Sequence, residues 1–378
     1  MPLSVKVFLI AGETSGDQLG ADVVRAIHTL DSSIEVLGAG GTALKLAGQN
    51  QCLDLVPHAI MGFVEVAKQF AKFKGFFDFL LEEVKKSKPD ALMLIDYPGF
   101  NLRFMKAVKR LFPEMKIIYF IAPMVWAWKP KRALAMEKHL DLLLTVYHFE
   151  KEWFANYTPK LRVEFVGHPM MDKISTLPES VRSGKTLAIL PGSRRTEIQK
   201  NLKVMLGAFE KISVRVPEVQ ASISAVSENT ALQIEGILAT FPQLKDRCRV
   251  VTGDVYQVIR QSFAGIVVSG TVSTECAALG LPIVIVYRMN PVTYWIAKLL
   301  VKLPYYSMVN LLGQRQVVRE LQHHDVTVEG ISKEILQLFE DPVYYSEVCK
   351  GLSEVKLKLG EPGAAGRAAH AVLHVLNK

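Results

Sequence analysis

The sequence predicts an α/β protein made of two Rossmann-like, doubly wound domains with a cleft between them. Three observations lead there. Short β-branched apolar runs recur, each closed by a glycine- or proline-marked turn and succeeded by a helical stretch. The runs are continuously apolar rather than alternating, as in strands buried on both faces of a parallel sheet. The chain of 378 residues also exceeds what one core accommodates, and two such series succeed one another along it.

In the first half the runs are Val5–Ile10, Ile34–Leu37, Ala91–Ile95, Lys116–Ile121, Leu142–Val146 and Val163–Val166. In the second they are Thr186–Leu190, Val219–Ala225, Arg249–Thr252, Gly265–Val268 and Pro282–Tyr287. The stretch Met171–Lys185 reads as linker and sets the seam. The expected domains are 1–172, 173–345 and a C-terminal helical stretch, 346–378. Within that stretch the alanine-rich segment Ala364–Leu376 comes after Glu361-Pro-Gly363 and is expected to cross back to the first domain. No sequence repeat relates the halves.

Composition narrows the partners. With 45 Lys+Arg against 37 Asp+Glu the net charge is +8, which suits phosphorylated small molecules or anionic headgroups as well as a plain solvated surface. There is no basic block and no aromatic-basic RNA signature, so nucleic acid is not an expected partner. Cys52, Cys248, Cys276 and Cys349 are far apart, which fits neither a zinc site nor a disulfide framework and points to a reducing compartment. The N-terminus runs straight into a strand without a signal-peptide pattern, and no apolar run approaches the ~20 residues that span a bilayer. A cytoplasmic protein is expected, with contact to a membrane surface still open.

Ligands of open α/β sheets bind beyond the carboxyl ends of the strands, so the residues after each run are the ones to weigh. Ala11-Gly-Glu-Thr-Ser-Gly-Asp17 leads from strand to helix and suits an anion, although it is neither GxGxxG nor a Walker loop. Glu13 has no packing reason to be there; Asp17 reads as an N-cap. Gly38-Ala-Gly-Gly41 with Ala43 fits a loose GxGxxA but comes after the second strand, where a plain turn is expected. Asp96, in Leu94-Ile-Asp-Tyr-Pro-Gly-Phe-Asn101, stands where a buried strand emerges; it is a candidate general base or a cap of the Pro-Gly turn. Trp126 and Trp128 lie beside Lys129, Lys131 and Arg132, as a sugar- or acyl-packing pair or as core. Leu190-Pro-Gly-Ser-Arg194 combines a glycine turn, a helix start and a guanidinium, an anion site assembled from independent parts. Val268-Ser-Gly-Thr-Val-Ser-Thr-Glu275 repeats the device and sets Glu275 one turn further on, within reach of ribose hydroxyls. His168 is a ligand contact or a turn histidine. His323-His324 lacks ligand spacing, and no cluster suggests a metal.

The segment Phe63–Val84 differs. Phe63, Val66, Phe70, Phe73, Phe77, Leu80 and Val84 keep a 3-4 spacing, widened by Phe76 and Phe79 and bordered by Lys68, Lys72 and Lys74. A core helix explains the stripe; the density of phenylalanine beside lysine suits an interfacial membrane contact. Gly75 is expected to interrupt the helix.

Taken together, Ala11–Asp17, Gly62-Phe-Val-Glu-Val66, Ile95-Asp96, Val125-Trp-Ala-Trp128, Val166-Gly-His168, Pro191-Gly-Ser-Arg194, Ser269-Gly-Thr271, Glu275, Tyr287-Arg-Met289 and Asn310-Leu-Leu312 resemble the lipid A disaccharide synthases. The matches run in order over most of the chain. It departs at Val309, where the family usually has proline, and at Ala122 and Met124, where serines are common. The resemblance implies a GT-B glycosyltransferase that works without metal or cofactor. It would join UDP-2,3-diacylglucosamine to 2,3-diacylglucosamine 1-phosphate (lipid X), giving the inverted β-1,6 disaccharide 1-phosphate and UDP. In those terms Asp96 is the base, with Glu13 as a second carboxylate, and Arg194 stabilises the leaving diphosphate with the amides of Gly270 and Thr271. Glu275 holds the ribose and Asn310 contacts the donor. Ser15, Gly16, His168, Ser193, Ser269 and Arg288 complete the substrate-binding set. Phe63, Val66, Phe70, Phe73 and Phe77 would meet acyl chains at the inner face of the cytoplasmic membrane, and a homodimer is compatible. The alternative within the fold is another enzyme using UDP-N-acetylglucosamine, an epimerase or a peptidoglycan-type transferase, neither of which needs acyl pockets.

Overall fold

A computed structural model describes residues 5–58, 70–178, 182, 185–288 and 303–377. The described strands form two sheets, and every pairing in both is parallel. The first contains β1 (Lys6–Ala11), β2 (Glu35–Gly40), β3 (Asn50–Asp54), β4 (Ala91–Ile95), β5 (Lys116–Phe120), β6 (Leu142–Thr145) and β7 (Val163–Phe165), in the order β3-β2-β1-β4-β5-β6-β7. The second contains β8 (Thr186–Leu190), β9 (Gln220–Ala225), β10 (Cys248–Thr252), β11 (Ala264–Val268), β12 (Ile283–Tyr287) and β13 (Arg319–Gln322), in the order β10-β9-β8-β11-β12-β13. Each is a doubly wound sheet whose strand order reverses at one switch point, β1/β4 in the first and β8/β11 in the second.

Continuous apolarity has the cause anticipated for it. Val7, Leu9 and Ala11 of β1 and Met93 and Ile95 of β4 pack on one face, with the helix Thr14–Leu30. Phe8, Ile10, Leu92 and Leu94 pack on the other, with Leu80 and Val84 of the helix Phe70–Ser87 and with Phe104 and Met105 of the helix Pro98–Leu111. Alternate residues of one strand therefore enter opposite cores, and no position is left for water. Gly38 of β2 takes φ +131°, and a Cβ there would stand 2.1 Å from the Leu9 carbonyl oxygen, so only glycine permits this pairing.

The chain divides into two compact units, Met1–Asp172 together with Leu359–Lys378, and Lys173–Lys358. The helix Ala364–Val375 belongs to the first unit, burying Ala368, Ala369 and Val372 in the core that also takes Val23, Val24 and Ile27. Its return is pinned by hydrogen bonds: Arg367 Nε donates to the Val166 carbonyl at 2.8 Å, and the His168 amide donates to the Leu359 carbonyl at 2.8 Å. The helix Pro342–Lys358, which the sequence groups with the C-terminal tail, instead belongs to the second unit. The helix Phe70–Ser87 runs unbroken through Gly75, contrary to the expected interruption. No described helix is long and apolar enough to cross a membrane.

Two strands escape the sequence pattern, β3 (Asn-Gln-Cys-Leu-Asp) and β13 (Arg-Glu-Leu-Gln). Both lie at sheet edges and are only partly buried, so nothing demands an apolar run from them.

Candidate active site

In the first unit the switch point lies between the ends of β1 and β4, which carry Glu13 and Asp96. Glu13 is the N-cap residue of the helix Thr14–Leu30, with extended backbone. Ser15 is exposed on the first turn, and Gly16 is buried against Ile95. Asp96 and Tyr97 both adopt left-handed backbone, φ +45° and +48°, which is uncommon for residues with a Cβ. Two buried side chains hold that conformation. Tyr119 Oη donates to the Asp96 carbonyl at 2.5 Å, and Asn101 Nδ2 donates to the same oxygen at 2.8 Å and to the Ile95 carbonyl at 3.1 Å. Burial raises the Asp96 carboxyl above its usual range, opposed by a hydrogen bond from the Tyr97 amide. The Tyr97 ring lies over Gly12, where a Cβ would stand 2.3 Å from it; burial and then the Glu13 charge push its phenol up to about 12.

Asp17 serves a purpose other than the expected cap of its own helix. It is 4% exposed and accepts from the amides of Gly41 at 2.7 Å, Ala43 at 2.9 Å and Leu44 at 3.1 Å. It thus caps the helix Thr42–Leu46 across the sheet end. Gly41 is where a Cβ would meet this carboxylate at 2.7 Å, so the GxGxxA-like pattern is packing, and its amides are spent.

Further along the same sheet end, burial lowers His168 from 6.5 to about 4, which keeps the ring neutral. Its Nδ1 accepts from the Met170 amide at 3.2 Å, so Nε2 carries the proton and is a donor. Beside it, 5.3 Å between rings, is Tyr147. Glu150, unremarked in the sequence, is buried; it accepts from Trp126 Nε1 at 3.0 Å and from the Tyr147 amide at 3.3 Å. Trp126 is therefore an anchored indole, and both it and Trp128 are partly exposed, the latter with Lys129 Nζ 4.3 Å above its ring.

In the second unit the turns after β8 and β11 flank the switch point and line one cavity of about 360 Å³. Ser193, Arg194, Ser269, Gly270, Thr271 and Glu275 all border it. Gly192, at φ +104°, closes the first turn over Glu197, where a Cβ would meet Oε2 at 2.7 Å. Arg194, the N-cap residue of the helix Arg195–Arg215, donates from Nη1 to Glu197 Oε1 at 3.0 Å. That pair is open to solvent, where such an ion pair contributes little. Gly270 has open space where a Cβ would be, and the helix Thr271–Ala278 presents its N-terminal amides beside it. Glu275 accepts from Tyr256 Oη at 3.0 Å. Burial raises its carboxyl, opposed by that hydroxyl and by the Lys173 charge. The cavity thus offers guanidinium, amides and an oriented carboxylate, the set that suits a diphosphate and a diol.

Several expectations need correction. Asn310 is fully buried: Nδ2 donates to the Val318 carbonyl at 2.9 Å and to Glu320 Oε1 at 2.8 Å, while Oδ1 accepts from the amides of Val317 at 2.8 Å and Val318 at 3.0 Å. No hydrogen-bonding capacity is left for a donor substrate, and its work is to fix its own loop. Phe73 and Phe77, expected at an acyl contact, are partly buried. Both rest against the first unit's core, Phe77 with its ring 5.6 Å from Phe100 and 5.2 Å from Phe104. Phe63, Val66 and the side chain of Phe70 lie outside the described residues. Arg288 is exposed and donates to the Lys200 carbonyl at 3.0 Å. Tyr256, Glu150, Tyr119 and Asn101 do not stand out in the sequence, because an isolated tyrosine or asparagine carries no signal until the fold gives it a partner.

Solved structures of low sequence identity share this architecture over nearly their whole length. The S. aureus MnaA–UDP co-structure superposes with a TM-score of 0.67 at 13% identity, covering 99% of this chain and 97% of that one. Acinetobacter baumannii MurG gives 0.59 at 13%, covering 98% and 99%. The fold is that of the GT-B glycosyltransferases. At the level of sequence, the lipid-A-disaccharide synthetase model matches residues 7–368. Lipid-A-disaccharide synthase of Geobacter sulfurreducens is 33% identical over 385 aligned positions, 99% of this chain and 98% of that one. The Myxococcus xanthus enzyme is 31% identical over 381, covering 98% and 97%. The chain belongs to the lipid-A-disaccharide synthetase family, and it is a glycosyltransferase of lipid A biosynthesis.

Proposed function

We propose that the protein transfers 2,3-diacylglucosamine from its UDP donor to the 6-hydroxyl of 2,3-diacylglucosamine 1-phosphate, with inversion. The observation that carries the donor assignment is the cavity where Arg194, the Gly270–Thr271 turn and the Tyr256-oriented Glu275 converge. The diphosphate takes the amides and guanidinium, and the ribose diol takes Glu275. Asp96 removes the acceptor hydroxyl proton. A carboxyl raised by burial suits that task, and its position is held by Tyr119 and Asn101. The acceptor oxygen bonds to the anomeric carbon as the bond from that carbon to the diphosphate oxygen breaks. UDP departs with the electron pair, its charge met by Arg194 and the amides. His168, neutral with Nε2–H as donor, binds a substrate oxygen. Acylated substrates call for peripheral contact with the inner membrane face. Exposed Met124 and Leu134, in the same stretch of chain as exposed Lys129, Lys131 and Arg132, support it.

The test is incubation with both acylated glucosamine substrates and mass spectrometry for UDP and disaccharide. Asp96→Asn should lower turnover by about 10²–10⁴ while UDP still binds. Turnover of unacylated UDP-N-acetylglucosamine in place of the acylated pair would sink the lipid assignment. Loss of activity in Glu13→Gln but not in Asp96→Asn would move the base to Glu13.

A further inference from the structure

The helix Thr271–Ala278 brings its N-terminal amides and Glu275 to the nucleotide cavity, so its placement decides whether that cavity grips. Its buried side chains are Ser273, Thr274, Cys276, Ala277 and Ala278, and none of them is large. Burial of such small groups contributes a fraction of what a leucine or isoleucine would. The first turn has no side-chain cap either, because its N-cap residue is Gly270. Fixing the helix therefore falls to its other end. There Gly280, at φ +68°, lets the chain reverse, and the Leu281 amide donates to the Cys276 carbonyl at 2.8 Å. The carbonyls of Leu279 and Gly280, just past the last turn, then receive one guanidinium. Arg182 Nη2 donates to Leu279 at 2.6 Å and Nη1 to Gly280 at 2.7 Å.

Arg182 is half-buried and stands 97 positions before Leu279, in the stretch that leads into β8. Its fork fits two neighbouring carbonyls at once, and its charge sits at the negative end of the helix dipole. A lysine there could serve only one carbonyl at a time. We propose that Arg182 is a positioning residue of the nucleotide grip. By clamping the C-terminal end of the helix, it sets where Glu275 and the amides at Gly270–Thr271 stand. The helix spans about 12 Å and moves as a rod, so a shift at one end is carried to the other. The inference rests on reading the cavity as the UDP site. The competing explanation is that Arg182 only fastens the stretch before β8. That stretch has a second tie, from Arg260 to the Pro178 carbonyl, which does not touch the helix. The two ties therefore separate the explanations.

The experiment titrates UDP calorimetrically into the full-length wild type, Arg182→Met, Arg182→Lys and Arg260→Met, each well below its melting temperature. Methionine keeps an apolar stem and removes every donor. Arg182→Met should weaken UDP roughly three- to tenfold, and Arg182→Lys should recover part of that loss. Arg260→Met should stay within about twofold of the wild type, because it cuts a tie of the same stretch without loosening the helix. A melting temperature lowered in Arg182→Met with UDP affinity unchanged makes the residue a fastening only, and overturns the proposal. Equal weakening by Arg182→Met and Arg260→Met overturns it too, since order in the stretch before β8 would then control affinity. Should Arg182→Met fail to fold, Arg182→Lys against Arg260→Met decides the matter, and equal affinities again overturn it. A wild-type protein that binds no UDP would overturn the reading of the nucleotide cavity itself, and would do so before any variant is compared.

Discussion

Replacing Glu150 by glutamine tests the physics of the buried cluster that anchors Trp126. Burial raises this carboxyl from 4.5 to about 7, against the opposing hydrogen bonds from Trp126, Tyr147 and Val146. Between those values the folded protein keeps a proton that the unfolded chain has released. The contribution of Glu150 to stability is therefore complete below about pH 4.5 and is lost as pH rises through 7. At about 1.4 kcal/mol per pH unit, the loss is roughly 3 kcal/mol. His168 has the opposite sign. Lowered from 6.5 to about 4, it contributes fully above pH 6.5 and loses that contribution as pH falls through 4, again roughly 3 kcal/mol. In the wild type the two slopes oppose one another, which hides both. Glutamine retains an acceptor for the Trp126 indole and cannot ionise. In urea unfolding monitored by tryptophan fluorescence, the variant-minus-wild-type difference should climb by roughly 3 kcal/mol between pH 4.5 and 7, then level. A mismatch between the glutamine N–H₂ and the Tyr147 amide would displace that difference curve without tilting it. A curve flat over the whole interval refutes the argument.

Three other outcomes rest on named contacts. Tyr256→Phe removes the hydroxyl from Glu275 and should weaken UDP about tenfold, the scale of a hydrogen bond to a charged group. The deficit should shrink at higher pH, because losing the hydroxyl raises Glu275 further and alkali restores its carboxylate; unchanged calorimetric affinity would remove Glu275 from the ribose role. Asp17→Ala strands three amides and should lower unfolding free energy by roughly 2–3 kcal/mol, read by thermal melting. Phe77→Ala should destabilise by about 2 kcal/mol and leave sedimentation with anionic vesicles unchanged, while the 41%-exposed Phe79 replaced by serine should barely alter stability. Loss of vesicle binding in a folded Phe77→Ala protein would put Phe77 at the membrane contact instead.

Much of the molecule is legible in its sequence because the determinants are local. A strand buried on both faces must be apolar throughout, so β1, β4, β5, β8, β11 and β12 announce themselves, and the turn after each switch strand is where a ligand can reach backbone amides. Glu13, Asp96, Arg194 and the Ser269–Glu275 turn stand out in that way, each by its position just past the end of a strand. The polar edges β3 and β13 do not, since a strand with one free edge has no apolar requirement.

Motif membership alone says which residues matter and not what they touch. Asp17 and Asn310 stand inside recognisable motifs, yet their hydrogen bonds are consumed within the protein. Tyr256 and Glu150 stand in no motif, yet one orients a carboxylate and the other anchors an indole. Their partners lie on other turns and other elements, so no periodicity along the chain encodes the pairing. Sequence by itself determined the doubly wound sheets and the loops that end them, because burial acts residue by residue. Which polar groups are saturated and which still have a hydrogen bond to give was decided only in three dimensions, because that depends on the direction and distance of groups far apart in the chain.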